Sequence, residues 1–202
     1  MRQTTLILTL AAAGLAAAAG AGYLALRPAD PFAPCAGSQV GATIGGPFTL
    51  TDETGRTVTD RDVLARPSLV YFGYTFCPDV CPTDSARNAE AADLLEQRGH
   101  IVQPVFISVD PGRDTPERLR DFTDFLHPRM VGLTGTPDQV AAASRAYRTF
   151  YRKVETGDEF YLIDHSTQTY LMLPGHGFVA FFSRSDSAQD VADRTACFLE
   201  RA

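Results

Sequence analysis

Residues 68–82 decide the fold, and they read Ser68-Leu-Val-Tyr-Phe-Gly-Tyr-Thr-Phe-Cys-Pro-Asp-Val-Cys-Pro82. The first half, Ser68 to Tyr74, is a continuous apolar run of strand length, which is typical of a strand covered on both faces in a parallel sheet. The second half places Cys77 and Cys81, each followed by proline, at the start of a predicted helix from about Pro78 to Arg98. The stretch therefore predicts a strand, a turn and a helix with two thiols at the junction.

The position and spacing of the two cysteines indicate redox or metal chemistry. Unpaired backbone N–H groups and the dipole at a helix start favour a thiolate and lower its pKa. Residues i and i+4 of a helix share one face, with Cβ atoms about 5–6 Å apart, near enough for a disulfide or a shared metal ion. Three residues separate Cys77 from Cys81, whereas thioredoxin-type redox motifs have two. Two thiolates form a soft site that favours Cu(I). The alternative is a pair of unrelated buried cysteines.

Strand and helix signals alternate along the rest of the chain. The expected strands are Phe48 to Thr51, Thr57 to Thr59, Val105 to Val109, Thr167 to Leu173 and Phe178 to Phe182. Further helices are predicted after the capping residues Thr115 and Thr136, each followed by proline, and from Asp186 to Leu199. This order predicts a three-layer α/β domain.

Two thiolates leave a metal site open, so a third donor is expected among the four histidines. His100 and His127 lie at predicted helix ends, where a cation is favoured for capping alone, and His176 lies in a predicted turn. His165 directly precedes the strand that we expect beside the one ending near Cys77. A polar segment from Arg152 to Glu159 lies ahead of it, so a mobile loop could carry this histidine to the thiols. On position alone, ligand and non-ligand are equally good interpretations of His165.

The amino-terminal segment predicts a membrane anchor. Thr4 to Leu26 contains no charged residue and, at 1.5 Å per residue, would span roughly 34 Å, enough to cross a bilayer. A secretory signal normally has a shorter apolar stretch, so we favour an uncleaved anchor, although its alanine-rich tracts leave cleavage open. Asp30 to Pro34 is expected to be a stiff linker. We therefore divide the chain into an anchor at 1–30 and an exported domain at 31–202, which would face an oxidising compartment.

Composition narrows the class of protein. The 202 residues include 45% hydrophobic ones, and the net charge is −6, values that exclude wholesale disorder. The sequence has no cluster of Lys and Arg, so we expect no nucleic-acid partner.

With these features, the chain resembles the Sco/SenC proteins, thioredoxin-fold copper proteins that take part in assembling the CuA centre of cytochrome c oxidase. The resemblance extends from about Gly46 to Leu199 and rests on four blocks in order, Tyr71 to Pro82, Ser108 to Pro116, Leu133 to Thr136, and Asp164 to Ser166.

The resemblance implies a thioredoxin-like fold and a copper site made by Cys77, Cys81 and His165, which binds copper in either oxidation state. It implies that the two cysteines can cycle to a disulfide and that the domain is anchored in the membrane and faces the periplasm. The implied partners are the CuA-bearing oxidase subunit and an upstream copper donor. At His176 the family more often has an acidic residue, and this histidine has no role that the resemblance supplies.

Cys35 and Cys197 are predicted to form a disulfide. The predicted last helix places Ala188, Val191, Ala192, Thr195, Phe198 and Leu199 on one face. Cys197 falls on the opposite side, so core packing does not account for it. In an oxidising compartment this thiol should find a partner, and Cys35 is the cysteine left over. The alternative is two free thiols.

The sequence therefore leads to a copper metallochaperone that exchanges ligands with its partner. One alternative is a thiol–disulfide oxidoreductase that keeps the oxidase's copper-site cysteines reduced, and another is a peroxide-reducing or redox-sensing role. Asp79, between the cysteines, is interpreted as an acidic residue that stabilises the first helical turn, with tuning of the site or partner contact as the alternative. Arg113 and Asp114 are interpreted as loop residues ahead of the Thr115 cap.

Overall fold

The computed structural model describes residue 22 and residues 30–35, 37–39, 43–154 and 161–202. The predicted anchor, Thr4 to Leu26, lies outside the described residues except at Gly22, and the division at residue 30 remains a prediction. None of the helices within the described ranges combines the length and apolar character that a bilayer span needs.

The described chain alternates strands and helices, as the sequence predicts. The strands are β1 (Thr49–Asp52), β2 (Thr57–Thr59), β3 (Ser68–Gly73), β4 (Gln103–Ser108), β5 (Val131–Thr134), β6 (Tyr151–Val154), β7 (Leu162–His165), β8 (Thr169–Leu173) and β9 (Gly177–Phe182). The helices are α1 (Asp60–Val63), α2 (Val80–Glu96), α3 (Pro116–Leu126), α4 (Pro137–Ala146) and α5 (Ala188–Leu199).

Seven strands form one mixed sheet in the order β2-β1-β5-β4-β3-β8-β9. β3 and β4 are parallel, as are β4 and β5, whereas β8 runs antiparallel to β3. Successive side chains of β3 point to opposite faces. Tyr71 meets Asp84 of α2 on one face, and the Phe72 ring packs against Tyr147, at the end of α4, on the other. Helices thus cover both faces of β3, and this explains its continuous apolar sequence.

Two parts of the sheet architecture differ from the sequence-based prediction. β5 was not predicted, because its four residues lack the flanking hairpin turn signal that revealed the equally short β1 and β2. The segment expected as a polar loop before His165 begins with a strand, β6, which pairs with β7 in a separate two-stranded sheet. His165 is therefore the last residue of a strand, and residues 155–160 lie outside the described ranges.

Residues 30–35, which we call the amino-terminal strap, were expected to be a stiff linker, and they pack on the domain through Phe32 and Cys35. Phe32 is fully buried in a hydrophobic cluster with residues of β8, β9 and α5, and its ring meets that of Phe198. The His176 ring, in the turn between β8 and β9, stands edge-on to Phe32 with centroids 5.0 Å apart. This contact gives His176 the packing role that the sequence did not reveal.

The predicted disulfide is confirmed, since Cys35 is bonded to Cys197. Cys35 is buried, and Cys197 packs against the edge of the same cluster from the less buried side of α5. The bond therefore holds the strap on the last helix, across a sequence separation of 162 residues.

Loss of this bond should destabilise the domain. We expect Cys35→Ser/Cys197→Ser to lower the free energy of unfolding by about 2–5 kcal/mol, because a closed loop of this length strongly restricts the unfolded chain. Denaturant unfolding of the exported protein would measure the loss. If Cys35 is alkylated in the native protein without reductant, the bond does not exist and the prediction is wrong.

Candidate metal centre

The cysteine-bearing turn follows the carboxyl end of β3 and is held by a buried carboxylate. Asp114 is fully buried and accepts hydrogen bonds from the Thr75 backbone N–H (3.0 Å), the Thr75 hydroxyl (2.6 Å) and the Ser108 hydroxyl (2.5 Å). Burial raises the pKa of Asp114, and the three hydrogen bonds act against that rise. Asp114 lies in the loop ahead of the Thr115 cap, as predicted, but the sequence did not reveal that its carboxylate is buried and hydrogen-bonded. Its carboxylate joins the segment before Cys77 to the end of β4.

The sequence predicted that the two cysteines share one helical face, and the structure differs. Helix α2 begins at Val80, so Cys77 lies in the turn before it and Cys81 in its first turn. Asp79, at the N-cap, has a backbone conformation outside the helical region. The Cys77 sulfur instead accepts a hydrogen bond from the Cys81 backbone N–H at 3.3 Å. It thereby pairs one of the N–H groups that have no partner within the helix at its start.

Gly73, the last residue of β3, makes room for the Cys81 thiol. A Cβ atom at this position would lie 3.0 Å from the Cys81 sulfur and 2.9 Å from ring atoms of Phe106 and Tyr71. Such distances are too short for ordinary packing, so glycine allows the thiol to lie directly over the strand end.

His165 completes a group of three donors. One donor atom from each of Cys77, Cys81 and His165 can be chosen so that all lie within 4.8 Å of one another, and His165 Nε2 is 3.2 Å from the Cys81 sulfur. His165 Nδ1 is 2.9 Å from the Ser166 carbonyl oxygen, which can only accept, so Nδ1 carries the proton. Nε2 is therefore the ring nitrogen that faces the thiols, and it is the one whose lone pair a metal would use.

Aromatic side chains fix the imidazole. The rings of Tyr71 and Tyr74 both stand perpendicular to the His165 ring, with centroid separations of 6.1 and 5.7 Å. The Tyr71 hydroxyl donates to Asp84 at 3.2 Å, and the Tyr74 hydroxyl accepts the backbone N–H of Ile163 at 3.2 Å. Burial raises the pKa of Tyr71, so its hydroxyl remains a donor. These contacts leave the ring little rotational freedom.

The two thiols have opposite electrostatic environments. A hydrogen bond from the Cys81 side chain lowers the pKa of Cys77, and contacts with the His165 side chain and backbone N–H groups add to this effect against burial. The pKa of Cys81 is raised, because it shares that hydrogen bond with an anionic neighbour and is deeply buried. Cys77 is thus the thiolate of the metal-free pair and Cys81 the thiol.

The other histidines lie apart from the thiols. His127 is buried at the end of α3, where its Nε2 is 3.1 Å from Asp93 and its Nδ1 accepts the backbone N–H of Arg129. His100 follows the end of α2, and His176 packs on Phe32. Asp79 is exposed at the N-cap of α2 and makes no side-chain capping hydrogen bond, so its stabilisation of the helix start through the dipole stays a prediction.

Cys81 is fully buried, and the other two of the three donors, Cys77 and His165, line a cleft of about 280 Å³. Its walls come from the cysteine turn and from β7 and the residues after it, namely Tyr74, Cys77, Pro78, Asp79, Val80, Leu162, Ile163, Asp164, His165 and Thr167. A partner can therefore approach the donors from this side.

Together, the sheet order, the paired thiols after β3 and the opposing imidazole define a thioredoxin-like domain with three donors that could hold a metal ion. The family model of SCO1/SenC matches residues 36–200. The chain belongs to the SCO1/SenC family.

Relatives agree with this assignment. SenC of Rhodobacter capsulatus is 59% identical over 173 residues, covering 85% of this chain and 78% of that protein. The structure of Arabidopsis thaliana ScoI with copper bound is 38% identical with a TM-score of 0.76, covering 79% of this chain and 99% of that one. The structure of Bradyrhizobium japonicum ScoI with copper bound is 39% identical with a TM-score of 0.69, covering 76% and 98%. The prediction of copper is thus supported by relatives that hold it.

The asymmetry of the thiols gives a testable pH dependence. The thiolate is the form that reacts, so the lowered pKa keeps Cys77 reactive towards iodoacetamide at pH values well below the ordinary thiol midpoint of about 8.5. In the reduced, metal-free protein, we expect the midpoint of the Cys77 rate profile to lie below that value.

The hydrogen bond from Cys81 is the largest cause of this lowering, so two substitutions at Cys81 should differ. In Cys81→Ala the bond is lost, and the Cys77 midpoint should rise; in Cys81→Ser a hydroxyl can still donate, and the midpoint should stay low. Equal midpoints in the two variants would show that another group stabilises the thiolate.

Proposed function

We propose that this protein is a copper metallochaperone for the CuA centre of cytochrome c oxidase, with Cys77, Cys81 and His165 as its copper ligands. The observation that carries the proposal is the convergence of these donors within 4.8 Å of one another, with Cys77 and His165 lining a cleft and Cys81 buried. The copper-bound structures of the two ScoI relatives support copper as the cargo.

The donor set suits copper that is to be passed on. Two soft thiolates and one imidazole suit Cu(I), and imidazole also suits Cu(II), so the same residues accept either oxidation state. Three protein donors leave copper accessible to an incoming ligand. A thiolate of the partner can add at the cleft and displace these donors one at a time, so the ion moves without gaining or losing an electron.

The proposed setting is a periplasmic domain anchored by Thr4 to Leu26. β8 runs antiparallel to β3, so the β8–β9 turn that touches the strap lies at the end of the sheet opposite Cys77. Six residues of β3 separate these ends by about 20 Å. An anchor preceding the strap would therefore leave the copper site directed away from the membrane. The proposed receiver is the CuA-bearing oxidase subunit, and an upstream donor would load the site.

A second candidate function is a thiol–disulfide oxidoreductase that keeps the oxidase's copper-site cysteines reduced. The observation that favours it is that Cys77 and Cys81 are both free, and that the Cys77 sulfur accepts the Cys81 backbone N–H. The pKa of Cys77 is also lowered. The Cys77 thiolate would attack a partner disulfide, and Cys81 would resolve the mixed disulfide. This chemistry needs both sulfurs but not His165.

Anaerobic Cu(I) titration of the reduced protein against a competing chelator tests the proposed ligands. We expect one tightly bound Cu(I) per chain and a loss of affinity on the order of a hundredfold in His165→Ala, since loss of a ligand should cost at least as much as loss of its supporting residues. His100→Ala, which replaces a histidine away from the thiols, is the matched control and should bind as the parent does.

Transfer and reduction separate the two functions. If the protein is a metallochaperone, His165→Ala should fail to load copper into a reduced CuA-bearing domain. The same variant should still reduce a model disulfide, because that reaction needs only the two thiols. If binding of Cu(I) is weak or indifferent to His165, the chaperone proposal is wrong and the reductase is favoured.

A further inference from the structure

The strand that presents His165 is not part of the main sheet. β6 and β7 pair only with each other among the described strands, and they form a two-stranded sheet of four residues each. An isolated pair of this kind is marginally stable in water. The position of His165 therefore depends on the side-chain contacts that hold this hairpin on the domain.

A group of three side chains makes such a contact beside the metal centre. The Arg113 guanidinium lies 3.6 Å from the centre of the Tyr161 ring, and its Nη1 donates to the Tyr161 carbonyl oxygen at 3.0 Å. The Tyr161 hydroxyl donates to Asp110 at 2.7 Å, and Arg113 Nε donates to the other oxygen of the same carboxylate. Asp110 and Arg113 belong to the loop after β4, and Tyr161 directly precedes β7, so the group joins the hairpin to the main sheet.

The same guanidinium also reaches the cysteine-bearing turn. It lies 4.7 Å from the Phe76 ring centre and 5.8 Å from that of Tyr74. Phe76 directly precedes Cys77, and the Tyr74 hydroxyl accepts the Ile163 backbone N–H of β7. Arg113 thus contacts both the segment leading to the thiols and the segment leading to the imidazole.

The chemistry of the group suits a firm but separable contact. Asp110 is buried and Arg113 is largely buried, so their ion pair is poorly screened, and removing one partner leaves a charge without compensation. The planar guanidinium stacks and donates at the same time, which a lysine ammonium cannot do. Arg113 lies in the loop ahead of the Thr115 cap, as predicted, but the sequence did not reveal these contacts.

We infer that Asp110, Arg113 and Tyr161 form a positioning latch that holds the His165 strand over the Cys77–Cys81 pair. None of the contacts of the latch described above is with the three donor atoms. The latch affects the site by fixing the position of β7, the strand that carries His165. The inference deepens the proposed function and rests on it for the copper readout alone. Opening the latch would withdraw the imidazole and leave a two-thiolate site that releases copper faster.

Hydrogen exchange of the metal-free protein tests the latch without copper. The Ile163 amide, protected by the Tyr74 hydroxyl, reports whether β7 is seated. We expect Arg113→Ala to speed its exchange at least about tenfold, through loss of a charged hydrogen bond and a cation–π contact. Tyr161→Phe keeps the ring and loses one hydrogen bond, so a change of about fivefold is expected.

Arg118→Ala is the matched control. The Arg118 guanidinium lies 4.5 Å from the same Phe76 ring, but it has no hydrogen bond, ion pair or ring contact with the described residues of the hairpin. Its removal should leave Ile163 exchange unchanged. Exchange at the parent rate in both Arg113→Ala and Tyr161→Phe would overturn the latch.

Copper binding then shows whether the latch acts through His165. Arg113→Ala should weaken Cu(I) binding about tenfold in the parent protein and have no further effect in the His165→Ala background. An equal loss in both backgrounds would mean that Arg113 acts on the thiols, and the latch would be rejected. If exchange responds but His165→Ala binds Cu(I) as the parent does, the three-ligand site fails while the latch stands.

Discussion

The structure depends on one contact between residues far apart in the chain, the approach of His165 Nε2 to the Cys81 sulfur across 84 residues. Two features of the topology make the contact possible. The segment with Cys77 and Cys81 follows the carboxyl end of β3. Because β8 runs antiparallel to β3, the segment that enters β8 lies at the same end of the sheet. The strand order therefore brings the segment that carries the imidazole to the thiol end of the sheet, and side-chain contacts then hold it there.

Two buried carboxylates, Asp114 and Asp84, lie beneath the site. Burial disfavours their charged forms, and their hydrogen-bond and charge partners offset that desolvation. Asp114 and Asp84 are both nearly inaccessible, and burial raises the pKa of each. Asp114 receives three hydrogen bonds, and Asp84 receives the Tyr71 hydroxyl beside the charge of Arg87. Hydrophobic side chains could have filled this volume, but they would not fix the direction of the turn or of the tyrosine that borders His165. The polar base thus sets the site's geometry more than the domain's stability.

Patterns local to the chain predicted the parts of the fold that local forces determine. The apolar run of β3, the proline starts of α3 and α4 and the helical face that left Cys197 outside the core all depend on residues near one another in sequence. β5 was missed because no hairpin turn signal flanks its four residues, and β6 because Arg152 and Lys153 make it resemble a polar loop. Asp114 and Arg113 escaped for a related reason. A polar side chain in a loop gives no local sign that the fold will bury it.

The metal centre joins a rigid half to a half that is held less firmly, and this division suits a protein that must both bind and release. The thiols sit at the end of a central strand, locked by Gly73, Asp114 and the first turn of α2. The imidazole lies on a short hairpin that pairs with no strand of the main sheet in the described part of the chain, and Arg113 and Tyr74 bind its backbone. A rigid three-donor site would bind copper more tightly but would resist an incoming ligand. With one donor on a separable element, the first step of release needs only the loss of side-chain contacts, and the core of the domain stays intact.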